Sequence, residues 1–386
     1  MRLGVAAVLV AGMLSCAPGS NGPPSLPTAP PAAATIDSLV PYFGSYRTDD
    51  GDTLVIARMG WFFDLRDAAY RTIYSTHTSN HFTIGRLFQE PLPVFAHLVF
   101  VADTITLTDS AHRRVARRIA YKQTEVTIPA NGAQLAGTIT EPAGAGPHPG
   151  IVIIHGAETG ERDFYDIWVG VYASLGLAVL TYDKRGRGSS TGRYPGEFPT
   201  SDALATYADD AGAALAFLAR QPAVDPKRVG FHGGSQGGWT VPLAIQRHPG
   251  AAFAVLVSAP ATTVDQTDLW AGYTNGGESL PAPPLDEMLA AVRADRAGYD
   301  PMPALTALAV PTLWFLGSND RTVPTVICQE ILTALHKPNI TLDLLPTGHG
   351  LLVNPTGLLT DDARSPGLAP DLVPAIQAWA ASVGIA

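Results

Sequence analysis

Apolar and polar positions along this chain fall into two long regimes. Between about residues 36 and 121, runs such as DTLVIARM, HFTIGRLF and LVFVADTITLT are rich in β-branched and aromatic residues. Turn signals such as Asp50-Gly51 separate them, and together they predict a small antiparallel β domain. From Gln123 the pattern changes. TEVTIPA and AQLAGTIT flank Asn131-Gly132, a two-residue hairpin signal. Apolar strands then alternate with helical stretches. PGIVIIHG precedes DFYDIWVGVYASLG, LAVLTYD precedes a helix near Ser201 to Arg220, and RVGFHG precedes a helix starting after Ser235. FAVLVSA, PTLWFLG and ITLDLLP are the later strands. These runs are nearly all apolar, without alternation, as strands buried on both faces are. Residues 122–386 therefore read as an α/β domain, a mostly parallel sheet flanked by helices. An insertion at about 262–309 reads as a short helical cap.

Neither regime covers the first 35 residues. Arg2 precedes the apolar stretch LGVAAVLVAGML, which ends at Ser15-Cys16. That is the layout of an export signal over residues 1–16, with an apolar core too short to span a bilayer. It resembles a bacterial lipoprotein signal with Cys16 as the lipidated residue, and an ordinary secretory signal is the other reading. Either makes the protein exported: periplasmic, secreted, or held at the cell envelope through Cys16. Residues 17–35, rich in Pro and Ala, read as an extended linker.

Composition narrows the function classes. The formal net charge of −9 and the presence of only four lysines disfavour a nucleic-acid partner or a polybasic membrane patch. Cys16 and Cys328 are the only cysteines, and Cys328 reads as a buried helical thiol. His77 and His81 lack a third ligand nearby, so they read as surface histidines. No metal or organic cofactor is expected.

The candidate chemistry sits at strand ends. RVGFHG runs into Gly233-Gly234-Ser235-Gln236-Gly237, the strand–turn–helix signature of a nucleophile elbow. A serine at its apex is exposed yet fixed, in a strained backbone that glycine neighbours permit; a side chain at Gly233 or Gly237 is expected to clash. Serine needs a base, and the base needs an orienting carboxylate. Asp320 follows PTLWFLG and His349 follows ITLDLLP, so Ser235, Asp320 and His349 occur in order, each past the C-terminal end of a strand. The oxyanion donors expected are the backbone N–H of Gln236 and that of Ala157, with Gly156 next, in the loop after PGIVIIHG. His155 is expected to shape that loop by hydrogen bonds.

On these residues the segment 123–386 resembles the α/β-hydrolase superfamily. TYDKRGRGSSTG resembles its D-x-R-G-x-G-x-S stretch, and HGAETGERD its oxyanion loop. GGSQGGW, GSNDRTVP and GHG resemble its elbow, acid and base segments. The branch it resembles holds serine esterases of the dienelactone-hydrolase and prolyl-oligopeptidase type, here with a small N-terminal β domain. The resemblance implies ester hydrolysis through an acyl-enzyme, and the short cap suggests esters of short to medium chain. It also implies a structural role for Asp183, Arg185 and Arg187. Glu158 departs from the family pattern and puts a carboxylate near the oxyanion loop. Asp209-Asp210 reads as a solvated helix face, with one of the pair able to meet an arginine of the 183–187 segment. In the cap, Trp270 and Tyr273 are either pocket-lining residues or packing residues. Peptidase or aminoacyl hydrolase activity, acyl thioesterase activity, and a surface-binding module carrying a degenerate hydrolase domain are the competing readings. Oligomeric state is not readable.

Overall fold

A computed structural model describes residues 36–385, apart from 59, 77, 88–92, 159, 197, 279–282 and 363. The export segment, the linker, Cys16 and His77 lie outside the described residues. After a short helix α1 (Ile36–Leu39) come eight strands: β1 Gly44–Thr48, β2 Thr53–Ala57, β3 Trp61–Asp64, β4 Ala69–Ser75, β5 His81–Gly85, β6 Ala96–Val101, β7 Thr104–Asp109 and β8 Arg113–Arg118. Each pairs antiparallel with the next, and Tyr46↔Arg118 to Thr48↔Ala116 close the sheet into a barrel. Closure removes both free edges. Its interior is filled by side chains including Tyr46, Ile56, Phe62, Ile73, Leu98 and Phe100. His81 is exposed on β5.

β2 departs from in–out alternation: all five residues are buried. The reason lies outside the barrel. Val55, Ala57, Phe63 and Ala68 share one core with Val171, Tyr172 and Trp379 of the second domain. Gly170 meets Val55 so closely that any Cβ there would overlap it, and Asp166 accepts a hydrogen bond from the Arg58 N–H at 2.9 Å.

The second sheet comprises β9 Lys122–Ala130, β10 Ala133–Glu141, β11 His148–Ile154, β12 Ala178–Tyr182, β13 Val224–Gly234, β14 Ala254–Val257, β15 Thr312–Gly317 and β16 Ile340–Leu345. Their spatial order is β16-β15-β14-β13-β11-β12-β10-β9. β10 runs antiparallel to both β9 and β12, and the other neighbours pair in parallel. This is the α/β-hydrolase architecture that the resemblance implies, preceded by an antiparallel β domain.

The central, mostly apolar strands feed two cores by period-2 alternation. Ile151, Ile153, Val255 and Phe315 face the layer of helices α2 (Asp166–Ser174) and α10 (Leu372–Ser382). Val152, Ile154, Leu256 and Trp314 face the opposite layer of α3 (Ser201–Leu218), α4 (Gly237–Arg247) and α8 (Thr325–Ala334), where Cys328 is buried. Between β14 and β15 stand α5 (Val264–Thr274), α6 (Leu285–Ala294) and α7 (Met302–Ala307); α9 (Leu359–Asp362) follows β16. α5 opens with a capping box in which Thr263 and Gln266 satisfy each other's backbone N–H groups.

Candidate active site

β13 ends at Gly234 and α4 begins at Gly237, which leaves Ser235 at the turn with φ 50°. Few non-glycine residues adopt this left-handed backbone, and it marks a position held by its surroundings. The Ser235 N–H donates to Val257 O at 3.1 Å. A Cβ at Gly233 would lie 2.8 Å from Val241 Cγ2. The second tight glycine is not Gly237, as the sequence suggests, but Gly238. A Cβ at Gly237 meets nothing nearer than 3.7 Å, whereas at Gly238 it would lie 2.8 Å from Ala259 Cβ and from Pro260 N. The crowding comes from the 259–260 turn against the first turn of α4, not from the strand.

Three loops bring Ser235, His349 and Asp320 together. His349 Nε2 lies 3.1 Å from Ser235 Oγ, and its Nδ1 lies 2.8 Å from Asp320 Oδ2. A carboxylate only accepts, so Nδ1 carries the proton and the Nε2 lone pair faces the serine hydroxyl. The Asp320 side chain is fully buried. Its Oδ1 accepts from the Thr322 and Val323 N–H groups at 2.7 and 2.8 Å. Burial acts to lower the His349 pKa, but the Asp320 charge and hydrogen bond outweigh it and raise the value above the usual 6.5.

Residues that sequence reasoning did not single out hold the base loop. Asn354 donates to Leu358 O and to Asp362 Oδ1, and its own side-chain oxygen accepts from the Thr356 and Gly357 N–H groups. Asn319, next to the acid, donates to Asn354 O at 2.9 Å. Burial pushes Asp362 up to about 6. An Asn-Pro-Thr-Gly turn is the only sequence signal there, and it does not reveal these contacts.

Among the described residues, the Gln236 and Ala157 N–H groups meet no acceptor. Gly156 does not match the expectation of a third donor: its N–H donates to the Tyr165 hydroxyl at 2.9 Å. Tyr165 in turn donates to Glu158 Oε1. His155 Nε2 faces Tyr182 O, an acceptor only, while Nδ1 lies 3.1 Å from Glu158 Oε1. Burial pushes the Glu158 carboxyl up, but the His155 hydrogen bond and the Lys184 charge outweigh it and hold the value at about 2. Barrel residue Trp61 packs edge-on against Phe164, which packs against Tyr165. The β domain thus buttresses this loop.

Trp270 and Tyr273 are packing residues of the cap. Trp270 is buried with Met288, Leu289, Val292 and Ile327, and its indole N–H donates to Asp320 O at 3.3 Å. Tyr273 packs against the same cluster. These aromatic side chains of α5 pack between α6 of the cap and Ile327 of α8. Asp183, Arg185 and Arg187 tie loops together. Asp183 accepts from the Arg162 and Ser189 N–H groups, and Arg187 stacks over Tyr194 at 3.9 Å. Arg185 grips Asp210 through two hydrogen bonds. Asp210 is therefore buried rather than solvated, while Asp209 meets Arg247 at 2.8 Å nearer the surface.

Residues 165–351 match the model of the prolyl oligopeptidase family. The chain is 28% identical over 220 residues to the uncharacterized protein Rv2307c of Mycobacterium tuberculosis strain H37Rv, covering 57% of this chain and 69% of that one. It is 30% identical over 87 residues to esterase FrsA of Klebsiella pneumoniae subsp. pneumoniae, covering 22% of this chain and 21% of FrsA. Among solved structures it is similar to the Pyrococcus furiosus esterase Pf2001, with a TM-score of 0.49 and 17% identity, over 68% of this chain and 91% of that one. It is also similar to a hyperthermophilic esterase of Pyrobaculum calidifontis, with a TM-score of 0.47 and 18% identity, over 69% and 87% of the two chains.

Proposed function

We propose that this chain, a hydrolase of the α/β-hydrolase superfamily, cleaves carboxylic esters of short to medium chain through an acyl-enzyme on Ser235. The observation that carries the reading is the unbroken hydrogen-bond chain from Ser235 Oγ through His349 to Asp320. Its Nε2 lone pair faces the hydroxyl, the tautomer a general base needs. His349 takes the Ser235 proton as Oγ attacks the ester carbonyl. The developing oxyanion sits against the Gln236 and Ala157 N–H groups at the N-terminal end of α4, where the helix dipole also favours negative charge. The His349 imidazolium, steadied by Asp320, protonates the leaving alcohol. Water then repeats the sequence on the acyl-enzyme.

The cap of α5 to α7 packs over this end of the sheet, and a short cap suits small acyl groups. Turnover of a p-nitrophenyl ester series should peak well below about twelve carbons, the length at which the chain outgrows a cleft of ordinary size. The match to the prolyl oligopeptidase family favours one second reading, cleavage of small peptides or aminoacyl esters by the same machinery.

The test is Ser235→Ala. It should fold, lose ester turnover and resist a fluorophosphonate probe that labels the wild type. Turnover or labelling that survives the substitution refutes the assignment. Parallel ester, thioester and peptide panels rank the substrate classes.

A further inference from the structure

Lys184 is 3% exposed, inside a motif whose neighbours Asp183 and Arg185 merely tie loops together. Its Nζ donates to Gly156 O at 2.6 Å and to Glu158 O at 2.7 Å. Gly156 C=O and Ala157 N–H belong to one peptide group. The Gly146–Pro147 bond is the only cis peptide among the described residues, so this group is trans and its N–H points opposite to its C=O. An ammonium that holds the oxygen therefore aims the hydrogen. It also draws electron density toward the carbonyl and makes the N–H a stronger donor.

The rest of the environment serves the same end. The preceding peptide is held by the Gly156 N–H bond to Tyr165, so Ala157 is fixed from both sides. Glu158, ionised and mostly buried, balances the buried ammonium. Gly160 has φ +89° and no Cβ; one there would lie 2.6 Å from Lys184 Cγ, so only glycine leaves room for the lysine stem. The Lys184 N–H donates to Gly160 O at 2.9 Å and ties the two segments.

We propose that Lys184 is a positioning residue for catalysis, which orients and polarises the Gly156–Ala157 peptide as the second oxyanion donor. The proposal rests on the serine-hydrolase reading of the site. A lysine that only fastens a loop would affect folding or substrate binding. One that sets an oxyanion donor affects the transition state selectively.

The experiment compares Lys184→Met with wild type in ester turnover and in inhibition by phenylboronic acid, whose tetrahedral serine adduct places an oxygen in the oxyanion site. Loss of a whole donor costs about 100- to 1000-fold in kcat. Misalignment of a donor that is still present should cost less, on the order of 10- to 100-fold. KM should stay within about twofold, and the boronate inhibition constant should rise by the same factor as kcat falls. Lys184→Met leaves the mostly buried Glu158 without the lysine charge. If that variant does not fold, the charge-neutral pair Lys184→Met with Glu158→Gln is judged by the same criteria. A folded variant with unchanged kcat and boronate affinity, or with only a raised KM, overturns the proposal and leaves the serine-hydrolase reading standing. A wild-type chain that neither turns over ester nor binds boronate overturns both.

Discussion

Replacing Asp320 by Asn should keep the fold and nearly abolish turnover, for reasons visible in its three hydrogen bonds. Oδ1 accepts from the Thr322 and Val323 N–H groups at 2.7 and 2.8 Å, and Oδ2 accepts from His349 Nδ1 at 2.8 Å. Two backbone donors hold one oxygen, so the Asn amide oxygen takes that position and the NH₂ group faces the imidazole. Nδ1 must then become an acceptor, which moves the ring proton to Nε2. There it points at Ser235 Oγ, and the ring can no longer take the hydroxyl proton. The wrong tautomer costs about 10⁴-fold in kcat in serine triads of this geometry. That factor corresponds to about 5.5 kcal/mol of transition-state stabilisation. The assay is kcat on p-nitrophenyl butyrate at neutral pH, with thermal melting as the control. Asp320→Ala should differ in the control: it strands both N–H groups in a buried site, at about 1–3 kcal/mol each. An Asp320→Asn protein that melts like wild type and keeps more than about a tenth of its kcat would refute the tautomer argument.

The pH profile follows from His349. It must be neutral to act as base, and Asp320 raises its pKa above the usual value despite burial. The acid limb of kcat/KM should therefore fall above the unperturbed 6.5, with activity lost as pH drops through it; a limb below that value contradicts the electrostatic reading. Arg185→Ala leaves Asp210 buried without its guanidinium. Urea unfolding should show a loss of about 3–5 kcal/mol, largely relieved by adding Asp210→Leu, and a loss under about 1 kcal/mol would show that the pair matters little. The two elbow glycines should separate. Gly238→Ala forces a Cβ against Ala259 and Pro260 and should cost about 1–3 kcal/mol in urea unfolding, while Gly237→Ala, with room for its methyl, should be near neutral; the reverse order would refute the packing assignment.

The fold was largely legible because the second sheet advertises itself. Strands that feed a core on each face cannot alternate, and β11, β14 and β15 are nearly all apolar past their first residues for that reason. The barrel was legible only as a strand-rich domain. Its closure depends on β1 meeting β8 some seventy residues away, and neither strand carries a mark of its partner. Its fully buried β2 answers to α2 and α10, which lie in the other domain.

At the site, Ser235, Asp320 and His349 stood out because each side chain must itself reach a reacting atom or its neighbour from a strand end. Residues acting through another residue's backbone left no such trace. Gly156 looked like a donor until Tyr165, nine residues on, took its N–H. Trp270 and Tyr273 had apolar partners on α6 and α8 that periodicity cannot locate. For Asp210 the pairing with an arginine of the 183–187 segment was legible, and what was not is that the Arg185 grip buries the carboxylate instead of leaving it on a solvated face. Lys184 is the extreme case. The hydrogen bonds that give it its role go to main-chain oxygens, which every residue possesses, so side-chain types in the sequence do not announce that role. The residues that aim backbone groups are the ones a motif hides, and an oxyanion hole consists of backbone groups. Its supports must accordingly be sought among buried charges whose partners are carbonyls.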